Sequence, residues 1–283
     1  MPKKTIYEKK NGIAYLTVNN PEKANVMDSQ VMEEMAEEYR DFWEDRDMKV
    51  MILTGMGDRH FSAGHHIQPP PPGQSYTDIR IQRNEGFFWP RSQTVNGREI
   101  AVFGGGTDFP RVWKPVIAAV NGWAAGAGLY MLLHTVDIRI ACEEHARFYF
   151  ALLSNRGGIG SGPSATHLTR QLNYAHAMKM LLTDEPIDAK EAERIGLIYE
   201  TVPHDQLMAR CEELAERIKQ MPPVAVRMLK EFAVKSRELP EQAAWDMQYT
   251  FNHMVSQLST DGDDADAAFL EKRPRNVQGN LRG

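Results

Sequence analysis

The chain of 283 residues is 42% hydrophobic and 25% charged, enough to bury the core of one large domain or of a domain with a small appendage. Its 33 Lys and Arg against 38 Asp and Glu leave a formal charge of −5, which argues against a sequence-independent nucleic-acid binder, whose affinity comes mainly from cations on phosphate. A mean hydropathy of −0.47 and no apolar run near a bilayer span exclude a membrane protein, and the start Met1-Pro2-Lys3-Lys4 lacks a secretory apolar core, so a cytoplasmic location is expected.

Residues 5–7 and 13–18 flank Asn11-Gly12, a dipeptide that accepts positive φ at both centres of a type I′ turn, which predicts a hairpin. Asp28 is a good N-cap for a helix in which Val31, Met35, Tyr39 and Phe42 recur at helical spacing. Residues 50–54 then read as a short buried strand. A second is expected at 115–120, followed by small residues to Gly128 and an apolar helical stretch at 129–133, and a third at 136–141, continuing past a turn into 148–150. This order implies an α/β core with parallel pairing. From Thr166 the pattern turns helical, with helices around 177–182, from a capping-box-like start at Asp188 to Gly196, and along Leu207, Cys211, Leu214 and Ile218, then again from Val224 after Pro222-Pro223. Cys142 and Cys211 fall in a predicted strand and a predicted helix and indicate no disulfide framework. Residues 66–114 read as irregular; segments this long are usually functional lids or disordered.

Two segments stand out for chemistry. Phe61-Ser62-Ala63-Gly64-His65-His66-Ile67 follows one buried β-run, and Asn121-Gly122-Trp123-Ala124-Ala125-Gly126-Ala127-Gly128 follows another. In open α/β sheets such strand ends line the ligand crevice, and small residues there let backbone N–H groups approach a ligand oxygen. The second segment also opens a helix, whose terminal N–H groups favour a developing negative charge. Together the two can form an oxyanion hole; either alone reads more simply as a tight strand-to-helix turn.

Residues 61–67 resemble the F-(S/A)-A-G-A-D-(I/L) motif, and residues 114–128 (KPVIAAVNGWAAGAG) resemble the KPVIAAVNG-xxx-GGG motif, of the enoyl-CoA hydratase/isomerase, or crotonase, superfamily. Residues 137–141 (DIRIA), 186–203 (PIDAKEAERIGLIYETVP) and 269–274 (FLEKRP) are similar to its later motifs, so the resemblance spans nearly the whole chain. It implies an α/β fold: a crotonase-like spiral of ββα turns over residues 1–203, with an inserted lid near 68–113, and a helical trimerisation region over 204–283. It further implies a homotrimer or dimer of trimers and an acyl-CoA thioester substrate, with coenzyme A as part of that substrate and no separate cofactor, and no nucleic-acid or membrane partner. By the same resemblance the thioester oxygen receives the amides of His65 and Ala127. Ala63, Ile67, Trp123 and Gly126 line the site, and Lys23 and Lys272 meet the CoA phosphates.

The match also marks departures. Hydratases of this family add water with two carboxylates; Tyr130 stands at the first matched position, and Leu152 and Leu153 around the second, followed by Ser154 and Asn155. A leucine exchanges no proton, so the two-carboxylate mechanism is not expected. Tyr130 is a candidate acid or an aromatic packed in its helix, and Asn155 is a candidate for orienting water or a carbonyl, or a turn residue. His66 replaces the motif's aspartate, and His134 follows Tyr130 by one helical turn, so either is a candidate base; for His134 a packed histidine is the simpler reading. Glu85 and Glu99 are further carboxylates if the insertion covers the pocket. His65 and His66 are adjacent and point apart on an extended chain, so no metal is expected. Phe87, Phe88, Trp89 and Trp113 suit either a bulky, cyclic or aromatic acyl group or a small satellite core. Three functions compete: an acyl-CoA enzyme stabilising a thioester enolate, a carbon–carbon bond hydrolase of the β-diketone type, and a non-catalytic oligomeric or RNA-binding relative, which the acidic balance disfavours.

Overall fold

The computed structural model describes residues 2–66, 72–75, 77, 91–95, 98–102, 111–159, 164–263, 265–275 and 279. Strands β1 (Thr5–Lys10) and β2 (Ile13–Val18) pair antiparallel across Asn11 and Gly12, whose φ values of 51° and 78° are the two positive angles the turn demands. Helix α1 (Ser29–Glu44) starts where Asp28 accepts a hydrogen bond from the Val31 amide at 3.1 Å, and it buries Val31, Met35, Tyr39 and Phe42 on one stripe. Strands β3 (Val50–Gly55) and β4 (His60–Ser62) follow. Strands β5 (Arg91–Val95) and β6 (Arg98–Val102) form an antiparallel hairpin, so part of the stretch expected to be irregular is regular. Ile67, Glu85, Phe87, Phe88, Trp89 and most of the proline run lie outside the described residues, as does the side chain of Glu99.

The core then builds by alternation. Strand β7 (Val116–Val120) leads to β8 (Trp123–Ala125) and helix α2 (Ala127–Thr135), and β9 (Ile138–Cys142) leads to β10 (Arg147–Tyr149) and helix α3 (Leu153–Arg156). Helices α4 (Ala165–Gln171) and α5 (Tyr174–Thr183), strand β11 (Ile187–Asp188), helix α6 (Ala189–Arg194) and strand β12 (Glu200–Val202) complete this part. One sheet runs β1-β2-β3-β7-β9-β12, parallel from β2 onward, and a second runs β11-β10-β8-β4, parallel except at β11. After the first hairpin, each pass of the chain thus gives one strand to each sheet, which is the ββα spiral of the crotonase fold. The strands β3 and β7 are apolar almost throughout because both their faces are covered.

The last helices are α7 (Leu207–Lys219), α8 (Pro223–Lys235), α9 (Glu241–Leu258) and α10 (Ala265–Leu270). Helix α7 buries Leu207, Cys211 and Ala215 and packs on β3, β7 and β9, so it covers the first sheet although it lies beyond residue 203. Cys142 and Cys211 are buried free thiols. Among the described residues no helix is long and apolar enough to cross a membrane.

Where the chain leaves one sheet for the other, its backbone loses strand partners and must find others. Buried Asn25 donates from Nδ2 to the carbonyls of Met56 and His60 at 3.0 and 2.6 Å, and buried Asn121 donates to Gly57 at 2.7 Å while accepting from the Gly55 amide at 3.1 Å. A third polar group, Lys114, is 4% exposed and caps the end of α1, donating from Nζ to the carbonyls of Phe42 and Asp45 at 2.5 and 2.6 Å.

Burial pushes the Lys114 amine down to about 8 from its usual 10.5. Between those values the unfolded chain binds the proton more readily than the folded one, so this group's contribution to stability rises with pH through the window. Urea titrations from pH 8 to pH 10 should show the wild type gaining on Lys114→Met by up to about 3 kcal/mol; parallel pH profiles for the two proteins would contradict the assignment.

Candidate active site

Strand β4 has β8 on one side and the 24–27 segment on the other. In a regular strand Ala63 and His65 would send their amides to the same side, because hydrogen-bond directions repeat every second residue. Here Ala63 donates to the carbonyl of Ala24 at 2.9 Å, but the next donor to that side is His66, which reaches Met27 at 3.2 Å, while Met27 donates to the carbonyl of Gly64 at 2.8 Å. The reversal occurs at Gly64, with φ at +87°. It turns the amide of His65 away from Met27. Ser62, buried, fixes the bend: its hydroxyl accepts from the Gly64 amide at 3.1 Å and donates to the carbonyl of Asn25 at 2.7 Å.

The second bend meets the first backbone to backbone. A Cβ on Gly64 would stand 2.7 Å from the Ala125 oxygen and 2.8 Å from the Ala127 nitrogen, and a Cβ on Gly128 would stand 2.4 Å from the Ser62 oxygen. Only hydrogen fits at both positions. Gly126, with φ +51° and ψ −122°, turns the chain into α2 while its amide stays bonded to Tyr149 at 3.0 Å. Ala127 is thereby the first residue of α2, where helical geometry offers its N–H no acceptor. Residue 64 and residues 125–127 thus meet at one junction, and an anionic oxygen placed there would meet a helix N-terminus as well.

The other expected residues are placed as follows. Ala63 and Gly126 lie in the junction. Trp123 stands at the far end of β8, about 10 Å along the strand from Gly126, and is 37% exposed. Ile67 falls outside the described residues. Tyr130 is buried, and its hydroxyl donates to the carbonyl of Phe150 at 2.7 Å with the two rings 5.3 Å apart. Asn155 is exposed and donates to the Tyr149 hydroxyl at 2.9 Å. His66 is exposed beside the junction. His134 does not share the surroundings of Tyr130, despite the one-turn spacing; it stands beside Arg111 and His167 at the other end of α2. Lys23 is exposed in the short turn Pro21–Lys23, and Lys272 is exposed after α10, its amide bonded to Phe269. Trp113 lies beside α8, with the Lys235 ammonium 5.5 Å from its ring centre, rather than at the junction.

Residue spacing gave no warning of two supports. Asp184 accepts from both the amide and the hydroxyl of Ser154, at 2.8 and 2.7 Å, and so holds the loop after Phe150 across 30 residues of sequence. Burial works against that carboxylate, yet the Ser154 bonds hold it below its usual range. Ser62 is the other, since a serine at a strand end carries no signal of which backbone group it will meet.

Residues 8–280 match the model of the enoyl-CoA hydratase/isomerase family. The (E)-benzylidenesuccinyl-CoA hydratase of Thauera aromatica is 30% identical over 263 residues, covering 93% of each chain. The short-chain-enoyl-CoA hydratase of Clostridium acetobutylicum is 31% identical over 275 residues, covering 95% of each. A crystal structure of an enoyl-CoA hydratase/isomerase from Mycobacterium paratuberculosis superposes with a TM-score of 0.78 at 28% identity, covering 98% of this chain and 99% of that one. With its ββα spiral and its two glycine bends, the chain belongs to the enoyl-CoA hydratase/isomerase family.

Proposed function

We propose that the protein is an acyl-CoA enzyme that binds the thioester carbonyl oxygen between the amides of His65 and Ala127 and stabilises the enolate formed as the adjacent carbon loses a proton or the β-carbon is attacked. The observation that carries this reading is the backbone contact of Gly64 with Ala125 and Ala127, which brings two independent chain bends to one point. Such fixed donors are effective because they need no reorganisation when charge appears on the oxygen. The relatives named as hydratases support a lyase reaction on an enoyl-CoA. A bulky or aromatic acyl group is the finer proposal, supported by the aromatic residues of the 68–113 insertion and by a relative named for a benzylidenesuccinyl substrate.

In this reading the family's two carboxylates are replaced, at the matched positions, by Tyr130 and the leucines at 152 and 153. The Tyr130 proton is already given to the Phe150 carbonyl, so its role is to position: it ties α2 to the loop that follows β10. Lys23 and Lys272 are proposed to meet CoA phosphates, the latter from a neighbouring subunit. A homotrimer is proposed on the exposed apolar residues of the last helices, Leu229, Trp245, Tyr249, Phe269 and Leu270.

The decisive variant is Ala127→Pro, because proline at the first helical position keeps the helix but removes the N–H. With a panel of enoyl-CoA esters followed by mass spectrometry, kcat/KM should fall at least about 100-fold while circular dichroism is unchanged. Turnover close to wild type would remove Ala127 from the mechanism. Tyr130→Phe should keep kcat within about tenfold and lower folding stability by about 1 kcal/mol, the worth of a typical hydrogen bond. A drop of two orders of magnitude in kcat at unchanged stability would make the hydroxyl an acid instead. Light scattering should give three times the 32.1 kDa chain mass or a multiple of that trimer; a monomer would refute the assembly.

A further inference from the structure

A cleft of about 590 Å³ opens at the C-terminal end of α2, lined among others by Arg111, His134, Arg139, His167, Lys230 and Arg237. It is rich in cations and poor in their partners. Among the described residues its ion pairs are Lys230 with Asp137 and Arg170 with Glu238. Among the described residues the hydrogen bonds of the Arg111, Arg139 and Arg237 guanidinium groups go to neutral acceptors, Arg139 to the carbonyls of Leu132 and Leu197 and the amide oxygen of Gln171, Arg237 to the carbonyl of Arg170, and Arg111 to His134 and His167, with Asp137 attracting Arg111 and Arg139 through space. Burial and mutual repulsion accordingly work against protonation here, bringing Arg139 down to about 10 and His167 to about 4.

Arg111 forms a close cluster with both histidines. Arg111 is always a donor, and its Nη2 lies 3.2 Å from His167 Nε2, 3.2 Å from His134 Nδ1 and 2.9 Å from the His134 carbonyl. His134 Nδ1 and His167 Nε2 also lie 3.2 Å apart, so the three groups form one hydrogen-bond cluster in which Nη2, with two hydrogens, cannot serve every acceptor. His167 Nδ1 is buried, with no hydrogen-bond partner among the described residues. A cleft in which three guanidinium groups hydrogen-bond, among the described residues, only to neutral groups has donors and positive charge to offer a bound anion.

We propose that this cleft is a binding site for a small phosphate-type anion, held by the guanidinium groups of Arg111 and Arg237. It stands at the opposite end of a helix about 13 Å long from the Ala127 amide and does not depend on the reading of that junction.

Isothermal titration calorimetry with inorganic phosphate and with pyrophosphate, at constant ionic strength in chloride, tests it on the full-length protein. Saturable binding is expected, weakened at least tenfold in Arg237→Gln, an exposed position whose loss leaves the fold intact. Heat no greater than that of added chloride, or unchanged affinity in Arg237→Gln, would overturn the proposal. Stoichiometric displacement of phosphate by coenzyme A would also overturn it, since the anion would then belong to the substrate site.

Discussion

The architecture of the candidate site rests on a single steric fact: at Gly64 and Gly128 the chain carries hydrogen where any other residue carries carbon. A Cβ at either would fall within 2.4 to 2.8 Å of backbone atoms of the opposite bend, and backbone, unlike the tip of a long side chain, cannot move aside cheaply. Gly64 has a second reason to be glycine. Its positive φ reverses the alternation of amide directions along the strand, so that the His65 amide turns away from the 24–27 segment. One residue thus provides both the approach of the two bends and the aim of one donor.

That junction is costly to build in a core, because the chain passes between two sheets and leaves peptide groups that neither sheet can pair. The polar side chains buried around it are explained by this need. Asn25, Asn121 and Ser62 bond to backbone atoms between residues 25 and 64, and each supplies donor and acceptor together, which a hydrophobic side chain of the same volume cannot do. Because amide side chains bond with fixed geometry, the same contacts fix the turn between β3 and β4 in place, and with it the position of Gly64. A functional site assembled from main-chain atoms needs rigid support of this kind, since no rotamer change can correct a misplaced amide.

Parts of this were legible in the sequence, for reasons that differ from element to element. Strands β3 and β7 announce themselves as continuous apolar runs because both faces are covered, and the first hairpin does so through Asn11-Gly12. The glycine segments at 61–67 and 121–128 were legible as a pair because the resemblance joins them; nothing in either indicates the Gly64 to Ala127 contact. Strands of two or three residues, such as β8 and β11, are too short for any period to show, and β10 was legible only as a continuation of the strand before it, so the second sheet was invisible as a sheet. The β5–β6 hairpin was hidden in a stretch whose prolines and glycines suggest irregularity. Side-chain partners were hardest of all: the one-turn spacing of Tyr130 and His134 is real, but Tyr130 bonds to a carbonyl 20 residues away, and His134 meets residues 23 and 33 positions distant.

Helix α2 gives the molecule its electrical axis. Its N-terminus presents the Ala127 amide where a substrate oxygen is proposed to become negative, and the aligned peptide dipoles add to that field. Near its C-terminus the carbonyl of His134 accepts two hydrogen bonds from Arg111, so the negative end is covered by a fixed cation. Neutralising one end of a short dipole leaves the other end's partial positive charge less compensated and more effective toward an anion. Arg111, at the far end of α2 from the Ala127 amide, can therefore strengthen that donor without touching a substrate. An anion bound beside Arg111 would act in the reverse sense, drawing on the same charge that covers the helix end. The two ends of α2 are in this way one electrostatic unit, and the distance between them is set by a mostly apolar helix of nine residues, all but His134 buried away from water.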